Sequence, residues 1–252
     1  MERWRGKVAV VTGASAGIGA AVVVKLIEEG LVVVGLARRK NLIEELSEKL
    51  RDKPGKLHAL EVDITNEQQI IQAFQIIEET IGPVNILINN AGVALKNTII
   101  NGNTELWRQV FDVNVLGLTI ATREAIKSMQ KNNIDGHIIN VNSVAGHQVP
   151  PVPFNNVYPA SKHAVTALTE TLRHDLKTIG SKIKSTSISP GYVATEIVKA
   201  GGFLEDPAMA QIIANVPALN SEDVANAVVY VLGTPPHVLI SELTIKPLGE
   251  MI

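Results

Sequence analysis

Two side chains that could move a proton together stand four residues apart in the sequence. Tyr158 and Lys162 fall in a stretch of helical periodicity at 157–178, so they lie on one face of a helix, within reach of each other. An ammonium beside a phenol stabilises the phenolate and makes the tyrosine a usable acid or base. Because a free tyrosine has a pKa of about 10, bringing it near neutrality requires roughly 4 kcal/mol.

A Tyr-x-x-x-Lys pair is common, and on its own it is typical of a surface helix. Two further polar residues favour chemistry here. Ser143 follows the apolar run 137–141, and Asn114 lies inside the helical stretch 105–130, where an amide lowers helix propensity without an evident return. The hydroxyl, phenol, ammonium and amide of Ser143, Tyr158, Lys162 and Asn114 are therefore candidate catalytic groups.

The order of the elements places these groups on one edge of a sheet. Apolar runs rich in β-branched residues alternate with stretches of helical periodicity along the whole chain. The predicted strands are 8–11, 32–36, 57–62, 84–88, 137–141, 184–188 and 238–245; the predicted helices are 18–29, 42–50, 67–80, 105–130, 157–178 and 221–232. The alternation predicts an α/β fold: one domain over 1–252, with about seven parallel strands and helices on both faces in the doubly wound Rossmann arrangement.

The first predicted strand runs into a glycine-rich turn at 12–19 and then into a helix. Gly13 permits a tight turn, Gly17 lets backbone N–H groups approach a pyrophosphate, and Gly19 lets the helix pack close to the strand. The spacing is Gly-x-x-x-Gly-x-Gly. Such a loop can also be a plain turn, but the flanking strand, helix and second strand favour a dinucleotide site, which also includes Ser15 and Ile18.

The end of the second strand indicates which dinucleotide binds. NAD-binding proteins of this architecture place an acid there for the adenosine ribose, whereas this chain has Ala37 followed by Arg38 and Arg39. A guanidinium binds a 2′-phosphate through paired charge-assisted hydrogen bonds, and an acid would repel it. We therefore predict NADP as the cofactor, through Arg38; for Arg39, a solvated cation at a helix start is an equally good interpretation.

With these residues in place, the chain resembles the short-chain dehydrogenase/reductase family over essentially its whole length. The resemblance rests on the turn 12–19, Asp63, the run 89–92, Asn114, Ser143, the run 158–162, and Pro190, Gly191 and Thr195. Residues 1–4 and 245–250 are similar to the insect farnesol dehydrogenase-like group of that family. The interval between Ser143 and Tyr158 is a residue or two longer than the family's commonest spacing, which bears on the pocket wall.

The resemblance implies a role for each matching residue. Tyr158 is the acid or base, Ser143 hydrogen-bonds the reacting oxygen, and Lys162 lowers the Tyr158 pKa and holds the nicotinamide ribose. Asn114 positions a water that relays protons to Lys162. The remaining cofactor contacts are Asp63 at the adenine, Asn90 and Gly92 on the adenosine and ribose side, Thr195 at the carboxamide, and also Ala91, Pro190 and Gly191. The family also implies a homodimer or homotetramer, formed through the helices at 105–130 and 157–178.

The segment 192–217 mixes glycines with large apolar residues, and we interpret it as a lid over the substrate. Its predicted inner face, with parts of the loops at 94–95 and 147–156, consists of Ile197, Val198, Phe203, Leu204, Met209, Ile212, Ile213, Ala94, Leu95, Val149, Val152 and Phe154. Such a pocket suits an apolar alcohol or carbonyl compound, such as an isoprenoid alcohol like farnesol or a steroid. These side chains could also simply cover the sheet edge.

Composition excludes several other classes. The chain of 252 residues has a net charge of −2, so it lacks the excess of positive charge that attracts nucleic acid. It has no cysteine, its histidines lack metal-ligand spacing, and no apolar run is long enough for a membrane span, so we expect no metal site and a cytoplasmic protein. The competing functions are nucleotide-sugar epimerisation or dehydration, which uses longer chains, and a catalytically inactive NADP-binding regulatory protein.

Overall fold

One parallel sheet organises the chain. The computed structural model describes residues 1–250. Its strands are Val8–Thr12 (β1), Val32–Ala37 (β2), Lys56–Glu61 (β3), Val84–Asn89 (β4), His137–Val141 (β5), Lys184–Pro190 (β6) and Glu242–Ile245 (β7). They pair in parallel in the order β3-β2-β1-β4-β5-β6-β7. The chain returns to the centre after β3 and then builds outward in the other direction, which confirms the predicted doubly wound α/β fold.

Helices cover both faces of this sheet. They are Gly17–Glu28 (α1), Lys40–Lys49 (α2), Glu67–Thr80 (α3), Thr104–Phe111 (α4), Leu118–Lys131 (α5), Tyr158–Thr178 (α6), Ile197–Ala200 (α7), Pro207–Asn215 (α8) and Ser221–Gly233 (α9). Within residues 1–250, no helix combines the length and apolar character that crossing a membrane requires.

The hydrophobic core has two halves, one on each side of the sheet. On β1, Ala9 and Val11 pack into the cluster that contains the inner residues of α1, α2 and α9. Val8 and Val10 point the other way, into the cluster beneath α3, α5 and α6. Because the central strand β1 buries both of its faces, its successive residues are all apolar, which explains the continuous apolar run 8–11 in the sequence.

The last strand is shorter than the sequence predicts. The apolar run 238–245 suggested one strand, but β7 begins only at Glu242. The N–H of Val238 donates to the carbonyl of Pro235, which forms a turn. The Lys184 ammonium donates to the carbonyl of Val238 at 2.5 Å and to that of Pro235 at 2.9 Å. Backbone groups engaged in this way are not free to continue the sheet ladder.

The predicted helix 105–130 is also interrupted. A π-helical segment, Asp112–Gly117, separates α4 from α5. Gly117 lies so close to the Ile64 carbonyl oxygen that an added Cβ would collide with it, and Ile64 Cγ1 would be 2.9 Å away. The wider π turn carries Asn114 into the interior, where it is 1% exposed. Such turns are frequent at functional sites.

We predict that Gly117→Ala destabilises the protein by about 1–3 kcal/mol, measured by urea unfolding, because the new methyl group must displace the Ile64 backbone. The intrinsic helix preference for alanine works in the opposite direction by about 1 kcal/mol. Gly233→Ala is the matched control, since a Cβ there meets nothing within 4 Å. It should be neutral or stabilising. Equal stability of the Gly117→Ala protein and the wild type would show that the turn has room for a side chain.

Candidate functional site

A cleft of about 1130 Å³ runs along the carboxyl ends of the strands. Thr12, Ala37, Val141 and Pro190, at the ends of four strands, all line it. In a doubly wound sheet this edge is the place where ligands bind, because the loops diverge there and leave a crevice. Among the predicted site residues, Gly19 and Asn114 lie behind the wall, and the others line the cleft.

The glycine-rich turn exposes the start of α1 to the cleft. Gly13 and Gly17 have φ values of 66° and 55°, which favour glycine. A Cβ on Gly19 would collide with the Gly13 carbonyl oxygen, so helix and strand pack together only with glycine there. The N-cap residue is Ala16, and within the described chain no side chain caps this end. The first N–H groups of α1 therefore suit an anionic ligand such as a pyrophosphate.

Asn90 braces this turn. Its side-chain amide donates to the carbonyls of Thr12 and Gly13 at 2.9 and 3.2 Å, and the Thr12 hydroxyl accepts from the N–H groups of Asn90 and Ala91 at 3.0 Å. These bonds join the ends of β1 and β4. Asn90 lines the cleft as predicted, but its amide holds the backbone of the turn.

Cations gather at the end of β2. Arg38 is exposed at the cleft wall, near Asp63. Partial burial raises the pKa of Asp63, but hydrogen bonds from the Thr65 N–H and hydroxyl and the charge of Arg38 lower it more. Arg39 donates to Ser15 at 3.4 Å and to Glu196 at 3.1 Å. It thus joins the phosphate turn to the segment after β6.

Tyr158 and Ser143 come together in the middle of the cleft. Tyr158 is the first residue of α6, and Ser143 follows β5, where its hydroxyl accepts from the N–H of Ala145 at 3.1 Å. Burial raises the pKa of Tyr158, and a hydrogen bond with Ser143 partly offsets that rise. The arrangement places a phenol and a hydroxyl side by side, where both can reach one oxygen atom of a ligand.

Lys162 lies one turn further along α6. Its ammonium donates to the Val141 carbonyl at 3.0 Å and lies 5.9 Å from the centroid of the Tyr158 ring. Burial lowers the pKa of Lys162 to about 8. The lowering of the Tyr158 pKa by Lys162 that the resemblance implies stays a prediction for the complex with the cofactor.

Asn114 supports the site from behind. Its amide nitrogen donates to the Val93 carbonyl and to the Ser161 hydroxyl, both at 3.0 Å, and its oxygen accepts from the Val93 N–H at 2.8 Å. Asn114 therefore ties the loop after β4 to α6, beside Lys162.

The other half of the cleft is apolar and covered. The lining residues there are Val93, Ala94, Leu95, Val144, Val152, Ile197, Val198, Phe203, Met209, Ile212, Ile213 and Val216. The predicted wall residues Val149, Phe154 and Leu204 do not line it. Val149 is 70% exposed and Leu204 43%, and the Phe154 ring packs under the Lys96 ammonium instead.

Lys96 joins three loops over this half. Its N–H donates to the Gly201 carbonyl at 2.8 Å, and its ammonium lies 3.4 Å from the Asp206 carboxylate and 4.7 Å from the Phe154 ring centroid. Asn156 adds a bond to the Leu95 carbonyl at 2.7 Å. The segment predicted as a lid is thus closed onto the loop after β4.

Sequence reasoning missed several lining residues. Glu105, Arg108, Gln109 and Asp112 reach the cleft from α4 and the π segment, and Glu250 reaches it from the C-terminal end. The polar residues of α4 look like an ordinary solvated helix face, and Glu250 lies in an irregular segment without a motif. Within residues 1–250, no group of three His, Asp or Glu side chains is arranged to hold a metal ion. His147, in the loop after β5, pairs with Ser189 and Glu242.

The chain is similar to known enzymes over its full length. The family model described as short chain dehydrogenase matches residues 7–202. Farnesol dehydrogenase of Aedes aegypti is 50% identical, with 99% of both chains covered. Dehydrogenase/reductase SDR family member 11 of Bos taurus is 46% identical, with both chains covered completely.

Solved structures agree with the fold. The closed form of serine dehydrogenase complexed with NADP+ is 33% identical and superposes with a TM-score of 0.88, covering 97% of this chain and 96% of that one. A short chain dehydrogenase/reductase from Burkholderia phymatum in complex with NAD is 28% identical, with a TM-score of 0.86 and coverages of 97% and 90%.

We predict that Lys162→Met makes the protein more stable near pH 7, by about 1–2 kcal/mol in urea unfolding. Burial lowers the lysine pKa from 10.5 to about 8, which corresponds to a cost of about 3 kcal/mol for the folded state. Loss of the bond to Val141 removes about 1 kcal/mol of the gain.

The pH dependence has a definite sign. Because the pKa of Lys162 is lower in the folded protein, the wild type recovers stability as the pH rises above about 8, so the advantage of the variant shrinks near pH 9.5. Lys177→Met, on the exposed face of the same helix, is the control and should change stability by less than about 0.5 kcal/mol. A less stable Lys162→Met protein would mean that the ammonium is held for structural reasons.

Proposed function

The chain belongs to the short-chain dehydrogenase/reductase family, and from this premise we propose that it is an NADP(H)-dependent oxidoreductase acting on an apolar alcohol or carbonyl compound. One observation carries the proposal. The Tyr158 phenol and the Ser143 hydroxyl both lie where the anion-binding half of the cleft meets its covered apolar half. A substrate oxygen at this point can exchange a proton while its carbon faces the cofactor.

Each polar residue has a task in this reaction. NADP, when bound, supplies or accepts the hydride. Tyr158 gives the proton to the oxygen during carbonyl reduction and takes it during alcohol oxidation. Ser143 donates a hydrogen bond to the oxygen as negative charge develops. Asn114 holds the loop at Val93 and, through Ser161, the helix that carries both Tyr158 and Lys162; its proposed further task is to position a water that relays protons.

The phenol needs help to lose its proton, because burial raises its pKa. Two positive charges supply that help in the proposed complex, the Lys162 ammonium and the oxidised nicotinamide. Both charges act in a buried site, where screening by water is weak. Lys162 therefore keeps its proposed role, but together with the cofactor charge and not alone.

The proposed cofactor is NADP(H). The Asp63 carboxylate accepts a hydrogen bond from the Thr65 hydroxyl and is near the positive charge of Arg38. At the end of β2, Ala37 stands where an acid would repel a 2′-phosphate. Of the two similar solved structures, the one at 33% identity contains NADP+ and the one at 28% identity contains NAD. Since both cofactors occur among similar proteins, the preference for NADP in this chain is argued from the cations at the end of β2. The turn around Gly17 receives the pyrophosphate, and Thr195 lies beside this turn, since a Cβ on Gly17 would be 3.3 Å from its methyl group.

The proposed substrate is an isoprenoid alcohol such as farnesol, or a steroid-like compound. The apolar lining of the closed half of the cleft and the similarity to a farnesol dehydrogenase support this choice. We also propose that the protein is a homodimer or homotetramer, which the exposed Phe111 and Leu116 beside the π turn support.

We predict NADPH formation, followed by its absorbance, when the protein is given NADP+ and a panel of isoprenoid and other apolar alcohols, and NADPH consumption with the matching aldehydes or ketones. Tyr158→Phe should lower turnover by about a thousandfold or more, because a positioned acid or base contributes about 10²–10⁴-fold. Its cofactor affinity, measured by NADPH fluorescence, should stay within about twofold of the wild type.

Tyr230→Phe is the matched control, since Tyr230 is 63% exposed on α9, away from the cleft. It should keep full activity. If the wild type bound NADPH tightly but turned over no member of the panel, the regulatory interpretation would replace the enzymatic one. Retained activity of Tyr158→Phe would overturn the assignment of the acid and base.

We expect Arg38 to decide between NADP(H) and NAD(H). Arg38→Asp should weaken NADP(H) binding by about a hundredfold and change NAD(H) binding little, because paired charge-assisted bonds to the 2′-phosphate are replaced by repulsion. Arg51→Asp, an exposed cation after α2, is the control. Dissociation constants for all four nucleotides test this. An equal loss for NADP(H) and NAD(H) would exclude the 2′-phosphate as the partner of Arg38.

A further inference from the structure

A partly buried carboxylate from the C-terminal segment lies beneath the turn that follows β6. Glu250 Oε1 accepts from the N–H of Tyr192 at 2.7 Å. Its other oxygen, Oε2, is inaccessible to solvent and accepts no hydrogen bond within residues 1–250. Glu250, Gly191 and Tyr192 all line the cleft. A buried carboxylate oxygen without a donor costs free energy, so a functional reason for it should be sought.

Gly191 and Glu250 are fitted to each other. A Cβ on Gly191 would collide with both carboxylate oxygens of Glu250 and approach its carboxyl carbon within 2.7 Å, so no other residue leaves room for the carboxylate. The Gly191 N–H donates to the Ile245 carbonyl at 2.8 Å, which fixes this turn to the end of β7. The negative charge therefore has a defined position.

That position is at the hydride end of the cleft. The cations that suit the 2′-phosphate follow β2, and the phosphate turn follows β1, so an extended dinucleotide continues across β4 toward β5 and β6. Ser143 follows β5, and the Gly191 turn follows β6, the next strand. The nicotinamide must lie near Ser143 and Tyr158 to exchange hydride with the same substrate. Glu250 thus belongs to the nicotinamide end of the cofactor site.

We infer that Glu250 is a positioning residue that holds the Gly191 turn and makes the site favour the oxidised cofactor over the reduced one. This inference rests on the proposed function. The oxidised nicotinamide ring carries a positive charge and the reduced ring is neutral, so a nearby fixed carboxylate binds the oxidised form more tightly.

The consequence is a bias toward alcohol oxidation. In that direction the alcohol carbon loses a hydride, which carries two electrons to NADP+, and the hydroxyl proton passes through Tyr158 to solvent; the products are a carbonyl compound and NADPH. Tighter binding of NADP+ than of NADPH both fills the site with the oxidant and speeds release of the reduced product. Glu250 acts on this balance through charge and not through contact with the substrate.

The test compares dissociation constants of NADP+ and NADPH, measured by isothermal titration calorimetry, for the wild type, Glu250→Gln and Glu250→Ala. Glutamine keeps an oxygen that accepts from the Tyr192 N–H but has no charge. We expect Glu250→Gln to raise the NADP+ constant by about fivefold to tenfold and to leave the NADPH constant within about twofold. Glu250→Ala loses the hydrogen bond as well, so both constants should rise.

Glu242→Gln is the control, because this carboxylate on β7 pairs with His147 and does not line the cleft. It should leave the ratio of the two constants unchanged. If Glu250→Gln changes both constants equally, or neither, the inference is overturned. Absence of NADP+ and NADPH binding by the wild type would instead defeat the proposed function. If the wild type binds both nucleotides and Glu250→Gln has the same ratio of NADP+ to NADPH dissociation constants, only the role of Glu250 is wrong.

Discussion

The hydrogen bond from the Lys162 ammonium to the Val141 carbonyl joins α6 to the end of β5, and the geometry of the site depends on it. Ser143 stands two residues beyond Val141, and Tyr158 stands one helical turn before Lys162. Together with the bonds from Asn140 to Thr169 and from Asn142 to Thr166, this contact fixes the distance between the hydroxyl and the phenol. The loop at 147–156 that connects the two elements can therefore vary in length without separating the polar pair.

Charge changes along the cleft in step with the ligand proposed for it. Arg38 and Arg39 stand at the β2 end, uncapped N–H groups follow at α1, and the Glu250 carboxylate lies beyond β6. A dinucleotide phosphate carries its negative charge at the first two places and, when oxidised, its positive charge at the third. Complementarity of this kind orients a ligand even where individual exposed contacts contribute little. The bond between Arg39 and Glu196 also brings the covering segment after β6 into this pattern.

Local sequence signals were sufficient for the sheet and for most of the cleft. Runs such as 8–11 and 32–36 are apolar because both faces of a parallel strand are buried, and the glycines at 13, 17 and 19 are required by close contacts. Features set by distant contacts were not predictable. The π turn depends on the close packing of Gly117 against the Ile64 carbonyl. The late start of β7 within the 238–245 run depends on the hydrogen bonds from Lys184. The place of Glu250 depends on Gly191, a residue 59 positions earlier in the chain.

The buried polar groups at the carboxyl ends of the strands lower the stability of the fold. The Lys162 ammonium is buried with a carbonyl as its partner, and within the described chain the buried oxygens Asn142 Oδ1 and Glu250 Oε2 accept no hydrogen bond. Apolar residues of similar volume would give a more stable sheet edge. Polar groups that make a fold less stable are found mainly at sites where a ligand supplies the missing hydrogen-bond partners or interacts with their charge. Asn89 Oδ1 at the end of β4 is a third such oxygen, so these groups stand at the ends of β4, β5 and β6, the edge of the sheet at which the proposed hydride and proton transfer takes place.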